Sequence, residues 1–533
     1  MSDWPWLSII GAVPLVGTLL VALVPERRGL LAKQLAMGVA LLTLLLAVIM
    51  SAGFDTSSAS MFQFLQTYSW IPQFGAHYAV GVDGIGLVLI DLTAILVPVV
   101  LLASWSEAEL GGRSARTYFA LILSLEAMLV GVFAATDLFL FYVFFEAMLV
   151  PMYFIIGSYG RAGTHRSYAA VKFLLYSLFG GLLMLAAVIG LYVIRGSLLF
   201  GDLQGIGNTV SASVDKGLFL GFFLAFAIKA PLWPFHTWLP DAAAEAPTSG
   251  AVLLVGVLDK VGTFGFLRWC LPLFPRAVHD LAPYVLALAV ISVLYGALLA
   301  IGQRDLKRLV AYTSISHFGF ITLGIFAFTS QGGTGATLYM VNHGFSTGAL
   351  FLIVGFLIHR RRTSQIADYN GVQQVAPWLA GAFFVAGLSS LALPGTNSFV
   401  SEFLVMVGTF TKYRWFAVAA VFGTVLAALY ILIMYQRTMH GPVDEANRLL
   451  PDLTRRETWV IAPVLVLVVA LGVYPKPVID TIDPAVKRTL CDTGRTDPRP
   501  PVPARGPGAD TGQPFVSCVG ISPAGPAASG GNK

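Results

Sequence analysis

The chain is built mostly of long apolar runs separated by short polar stretches. The apolar windows fall at about 6–24, 30–52, 83–105, 117–135, 137–157, 167–194, 217–239, 248–271, 280–302, 308–328, 334–358, 378–410, 414–436 and 457–474. An α-helix needs about 20 apolar residues to cross the hydrocarbon core of a bilayer, so fourteen transmembrane helices are predicted. Helices are the expected spans because they satisfy their own backbone polar groups where water is absent. The opening stretch "MSDWPWLSIIGAVPLVGTLLVALVPERR" lacks a basic leader and runs too long for a signal core, so it reads as the first span.

Two regions depart from this pattern. Residues 53–82 contain no Lys or Arg and place aromatic residues on either side of a Pro/Gly turn. That predicts an external β-hairpin or re-entrant cover, with an irregular loop as the other option. From Pro475 to Lys533 the chain is rich in Pro, Gly, Asp and Arg without apolar periodicity, which predicts an external, largely unstructured tail.

Composition sharpens the class. With 56% hydrophobic and 11% charged residues, the chain lies outside the soluble globular range and is expected to be an all-α polytopic membrane protein. The net charge of +5 balances 33 basic against 28 acidic residues spread over many short loops, so it speaks to topology and not to a nucleic-acid partner. With the residues flanking each span included, odd-numbered loops carry 17 Lys and Arg and even-numbered loops carry 6. The odd loops are therefore predicted to be cytoplasmic, with both termini on the outer side. Cys270 falls at a span boundary, while Cys491 and Cys518 lie in the tail. Without a CxxC spacing no iron–sulfur or zinc site is expected, although a disulfide within the tail is open geometrically. "GVDGIG" enters a span instead of following a strand, and there is no P-loop, so no nucleotide or metal site is expected in this chain.

The candidate chemistry is therefore in ionisable groups inside the spans. Each costs about 2.5–3.5 kcal/mol even on the lenient insertion scale, which makes it a functional candidate by default. Glu146, Lys229, Lys260 and Glu402 fall near the middle of their windows, where a purely structural charge is least tolerated. Asp91, Glu126, Lys172 and Asp259 have the competing reading of structural ion pairs, and Lys172 that of snorkelling to the interface. His317 and His343 sit at similar depth.

Three prolines strengthen this set. Pro231 and Pro234 follow Lys229, and Pro394 precedes Glu402; each removes a backbone donor and interrupts its helix. Paired broken helices are the best sequence pointer to a transport site. Here they fall in the seventh and twelfth spans, so two five-span units of opposite orientation are predicted, at 117–271 and 280–436. Residues 1–116 form an N-terminal group of three spans, and 457–474 a last span before the tail at 475–533.

The segments "GVDGIGLVL" (81–89), "DLFLFYVFFEAMLVPMYFIIGSYG" (137–160), "KAPLWPFHTWLPDA" (229–242), "DLKRLVAYTSISHFGF" (305–320), "NHGFSTGALFLIVG" (342–355) and "LPGTNSFVSEF" (393–403) resemble the antiporter-like membrane subunits of respiratory complex I. The resemblance runs through nearly all of 1–474 and leaves out the tail. It implies proton translocation driven by quinone reduction elsewhere, with Glu146, Lys229, Lys260 and Glu402 as transfer groups and His317 and His343 as bridges. Glu126, Lys172, Asp259, His236 and Asp241 are accessory candidates. It also implies a bacterial-type cytoplasmic membrane, lipids, and partner subunits holding flavin, iron–sulfur clusters and quinone, including the flanking paralogues L and N. Those paralogues usually carry lysine where this chain has Glu402. Two departures stand out: a common histidine is replaced by Ala243, which puts the proton intake route in doubt, and a common apolar residue by Asp259. The runner-up is a subunit of a multisubunit cation/proton antiporter, and a substrate-carrying secondary transporter is the third reading.

Overall fold

The protein is described from a computed structural model covering residues 4–495, apart from 59, 107–113, 162 and 164, together with residue 497. The helices are α1 Trp6–Leu23, α2 Gly29–Ala52, α3 Gly84–Ala103, α4 Ala115–Ala134, α5 Leu138–Tyr159 and α6 His165–Arg195. There follow α7a Ala212–Lys229, α7b Trp238–Glu245, α8 Thr248–Leu273, α9 Pro275–Ile301, α10 Leu306–Ile325 and α11 Ser330–Arg361. The chain continues with α12a Pro377–Ser390, α12b Asn397–Lys412, α13 Arg414–Met439, α14 Arg455–Val473 and α15 Lys476–Asp492. Eleven helices among the described residues are long and apolar enough to cross a membrane. The windows at 217–239, 308–328 and 378–410 are not among those eleven. The first and last are interrupted helices, and α10 carries the polar run "TSISH".

Hydrogen bonds sort the connecting loops into two ends. At one end Arg161 joins Ser364 (3.1 Å), Lys307 reaches the carbonyl of Ala244 (3.0 Å), Arg456 meets Ser106 (2.9 Å), and Arg116 donates to the carbonyl of Val24 (3.0 Å). Arg360 and Glu457 lock the same end with a bidentate, buried pair at 2.7 Å. At the other end Asp137 caps α5 and accepts from the backbone of His77 (3.0 Å), while Arg276 donates to the carbonyls of Gly207 and Val210. The first set links odd-numbered loops only, and the second set even-numbered loops only.

The bundle is centred on α8 and α11, whose apolar stretches are wholly or almost wholly buried. Most of the surface of α1, α2, α13 and α14 faces outward, with Leu19, Leu45, Phe422 and Trp459 exposed, as suits helices bordered by lipid. Between α2 and α3 the strands β1 Gln63–Ile71 and β2 Ala76–Val82 pair antiparallel around a turn closed by Gly75 at φ +56°.

The tail needs a correction. The sequence predicts little structure after Pro475, yet α15 is a 17-residue helix. Its buried Ile482, Val486 and Leu490 recur every four residues, one helical face scattered among Asp, Pro, Lys and Arg that give the segment a loop-like composition. Gly84 and Gly333 admit it closely: a Cβ on the first would sit 1.8 Å from the carbonyl oxygen of Thr481, and one on the second 2.6 Å from Val486. Asp497 then accepts from the backbone N (2.7 Å) and hydroxyl (2.6 Å) of Ser330 at the start of α11. Cys518, and with it the tail disulfide, lies outside the described residues.

Candidate functional site

The break in α7 is sealed by its own neighbours. Helix α7a stops at Lys229, Pro231 and Pro234 occupy the gap, and α7b starts at Trp238. The carbonyl of Ile228, freed by the break, accepts from the Trp238 indole N–H (2.9 Å), and the Trp233 N–H finds the Ser292 hydroxyl (2.9 Å). Without such partners these groups would be costly at membrane depth. Lys229 itself is fully buried, and its Nζ has no hydrogen-bond partner among the described residues. It lies 4.9 Å from the Phe145 ring centre and 5.7 Å from that of Phe173. The acidic groups whose charge acts on it are Glu146 and Asp259.

Glu146 stands just ahead of Met148, where α5 is interrupted between Ala147 and Leu149. It makes no ion pair with Lys229 among the described residues, so the two charges act on each other at a distance. Its carboxylate packs onto Gly181 of α6: a Cβ there would lie 1.6 Å from Oε1. Sequence reasoning missed Gly181, because a glycine in an apolar helix carries no signal of what presses against it.

From Lys260 of α8 onward the groups touch one another. Lys260 Nζ donates to the Val255 carbonyl and to His343 Nδ1 (2.7 Å). The His343 and His317 rings lie 5.2 Å apart, centre to centre. His317 Nδ1 meets the Tyr339 hydroxyl at 2.7 Å, and that hydroxyl donates to Glu402 Oε2 at 2.9 Å. When Glu402 is ionised the single phenolic proton is used in that bond, and His317 Nδ1 is then the donor to Tyr339. Its Nε2 faces the Ser390 hydroxyl at 3.3 Å. Thr424 donates to the other oxygen of Glu402. Tyr339 was not foreseen. The available signal was its position four residues before His343 on one helical face.

The break in α12 spans 391–396 and contains Pro394, with Ala392 at φ +60° and Gly395 at φ +93°. A non-glycine residue there is uncommon. Asn342 of α11 and Asn397 at the start of α12b exchange amide-to-carbonyl bonds of 2.7 and 3.1 Å, which fixes the end of the break against the central helix.

The accessory candidates divide. Asp241 accepts from Lys172 and Arg308, both at 2.8 Å, and so clamps α6, α7b and α10 together; Lys172 is paired instead of snorkelling alone. His236 is buried against Tyr295, and its Nδ1 is without a partner among the described residues. Asp91 accepts from Ser51 at 2.8 and 2.9 Å. Glu126 and Asp259 are fully buried, and neither oxygen of either has a partner among the described residues. Ala243 is buried in α7b. Its neighbours Ala244 and Ala246 border a cavity of about 450 Å³ at the odd-loop end, whose wall also carries Lys307, Arg161, Arg362 and Arg456. That cavity is at the loops and not beside the mid-span charges. Among the described residues no group of three metal-ligating side chains occurs.

Comparison with known proteins bears on this arrangement. Residues 135–427 match the family described as "NADH:quinone oxidoreductase/Mrp antiporter, TM". NADH-quinone oxidoreductase subunit M of Mycobacterium tuberculosis (strain CDC 1551 / Oshkosh) is 52% identical over 545 residues, covering 95% of this chain and 98% of that protein. A chain of respiratory complex I from Thermus thermophilus with bound NADH superposes with a TM-score of 0.83 at 31% identity, covering 92% of this chain and all of that one. A chain of the Mrp complex from Dietzia sp. DQ12-45-1b has a TM-score of 0.81 at 22% identity, covering 92% of this chain and 98% of that one, a likeness of fold alone. The chain belongs to the NADH:quinone oxidoreductase/Mrp antiporter transmembrane family, on the branch of subunit M of NADH-quinone oxidoreductase.

Proposed function

We propose that this chain moves protons through Glu146, Lys229, Lys260, His343, His317, Tyr339 and Glu402, driven by quinone reduction in partner subunits. The observation that carries the proposal is the succession of contacts from Lys260 to Glu402, in which each side chain touches the next at the centre of the bundle. Lysine suits the duty because burial and nearby carboxylates strongly change how firmly it holds a proton, whereas arginine stays charged. Moving or neutralising Glu146 alters the field at Lys229 and so switches its hold on the proton. Farther along, once His317 has taken a second proton from His343, Tyr339 hands its hydroxyl proton to Glu402 as it takes the one on His317 Nδ1, leaving a neutral imidazole, and Glu402 acts as the terminal loading group.

The same proposal has fourteen spans in a bacterial-type cytoplasmic membrane, with α4–α8 and α9–α13 as two units of opposite orientation. The separation of odd and even loops to opposite ends supports it, as does the excess of Lys and Arg on the odd loops. Both termini and the β1–β2 hairpin then face outward. Flavin, iron–sulfur clusters and quinone belong to partner subunits, and the paralogues L and N flank this chain in the membrane.

The test is Lys229→Ala and Glu146→Gln in the assembled complex. NADH-driven proton pumping is expected to fall to about a tenth or less, since a loss of 1.36 kcal/mol at the transfer step is already tenfold. Assembly persists, because neither side chain is tied into the packing by a hydrogen bond through Lys229 Nζ or Glu146 Oε1. Normal pumping in a fully assembled variant contradicts the assignment. A tagged chain that copurifies without flavin- and iron–sulfur-containing partners contradicts the redox coupling.

A further inference from the structure

Between the unpartnered Lys229 and the connected Lys260 the proposed path has a gap, and α8 is shaped to fill it. This helix carries π-helical turns at Leu254–Leu258 and Phe266–Cys270, with Asp259 and Lys260 directly after the first. Such turns reset which way the following residues point and are frequent at functional sites.

The two faces of α8 are then distinct. Asp259 and Gly262 are three residues apart, with the Gly262 N–H bonded to the Asp259 carbonyl (3.2 Å), and so share one face. That face meets the end of α7a: a Cβ on Gly262 would lie 2.5 Å from Ala230 N and 2.6 Å from the Phe226 carbonyl oxygen, on either side of Lys229. Lys260, about 100° farther round the helix than Asp259, meets α11. Lys260 bonds His343, and the Thr263 hydroxyl meets Met340 Sδ at 2.8 Å. Adjacent residues of one helix thus address the first unit and the second.

We propose that Asp259 is the proton relay between Lys229 and Lys260, an inference that rests on the transfer path above. Its side chain is fully buried, both its oxygens are without partners among the described residues, and the charges that act on it are Lys260 and Lys229. A carboxylate held so is expensive to bury, and an apolar side chain would serve packing better. Through a bridging water, since neither Asp259 oxygen has a hydrogen-bond partner among the described residues, the Lys229 ammonium gives a proton to an Asp259 oxygen and becomes a neutral amine. The carboxylic acid so formed gives that proton to the Lys260 amine, once Lys260 has passed its own to His343 Nδ1. Asp259 returns to a carboxylate, and one proton has crossed from unit to unit.

The experiment compares Asp259→Asn, Asp259→Glu and Asp259→His in the assembled complex. The readout is pH-dye-detected pumping in proteoliposomes per NADH oxidised, with Lys260→Ala in parallel. The relay predicts that Asn reduces pumping about tenfold or more, and that Glu and His, which both titrate, restore at least about a quarter of it. Asn pumping like the parent overturns the proposal. Rescue by Glu with none by His also overturns it, because a fixed negative counter-charge needs the sign and a relay needs only the proton. If Asn does not assemble, Asp259→Leu, apolar and of comparable bulk, is read by the same criteria. Normal pumping by Lys260→Ala instead contradicts the path itself, and so separates failure of the path from failure of the relay.

Discussion

The two broken helices hold their ionisable residues in opposite conditions. In α7 the break leaves Lys229 buried against aromatic rings with no hydrogen-bond partner among the described residues. In α12 the break leads to Glu402, both of whose oxygens accept hydroxyl hydrogen bonds, from Tyr339 and Thr424. The α7 site is governed by charge at a distance, through Glu146 and Asp259, whereas the α12 site is governed by bonded geometry. A group without partners responds strongly to a change in nearby charge, because nothing else fixes its proton. A group in a bonded network keeps its orientation and passes protons along bonds already made, as from His317 through Tyr339 to Glu402, whereas His343 meets His317 by ring contact. The first region suits a switch and the second a wire.

If the second region is a wire, its narrowest point is the Tyr339 hydroxyl. Tyr339→Phe keeps the ring, removes the link between His317 and Glu402, and is expected to lower pumping about tenfold with assembly intact, equivalent to about 1.4 kcal/mol on the transfer step. Proteoliposome acidification per NADH oxidised is the measurement, and a parent-like ratio breaks the comparison. If the first region is a switch set by field, displacing Glu146 should change it without removing any ionisable group. Gly181→Ala puts a Cβ where Oε1 now lies, and the carboxylate must shift. Pumping is expected to fall about threefold to fivefold, less than for loss of the carboxylate itself, because an effective dielectric near 20 softens the change with distance. The smallest effect belongs to Ser390→Ala. Its hydroxyl stands at 3.3 Å from His317 Nε2, off the line to Glu402, so the same assay should change by less than about twofold. A larger loss would place Ser390 on the path.

Much of this was legible in the sequence for a definite reason. A charge such as Lys229 or Glu402 inside an apolar window is conspicuous because its insertion is costly, and a proline beside it marks the break. What escaped is what depends on contact across helices. Tyr339 in an apolar span looks like packing, and only its spacing from His343 places it on the polar line. Gly181 matters because of Glu146 on another helix. The order Lys260, His343, His317, Glu402 follows from α8, α10, α11 and α12b meeting at one place, which no local pattern encodes. In α15, a four-residue apolar repeat was masked by the charged and proline residues around it.

The claim most exposed to test is that Glu402 loads and releases a proton. Glu402→Gln keeps size and hydrogen bonding but cannot ionise, Glu402→Asp ionises with a shorter reach, and Glu402→Lys titrates with the opposite charge. Measured as acidification of proteoliposomes with a pH-sensitive dye, at matched NADH oxidation, Gln should abolish pumping, Asp should retain part of it, and Lys should exceed Gln. If Gln pumps as well as Asp, Glu402 is a structural carboxyl and the line from Lys260 does not carry the proton.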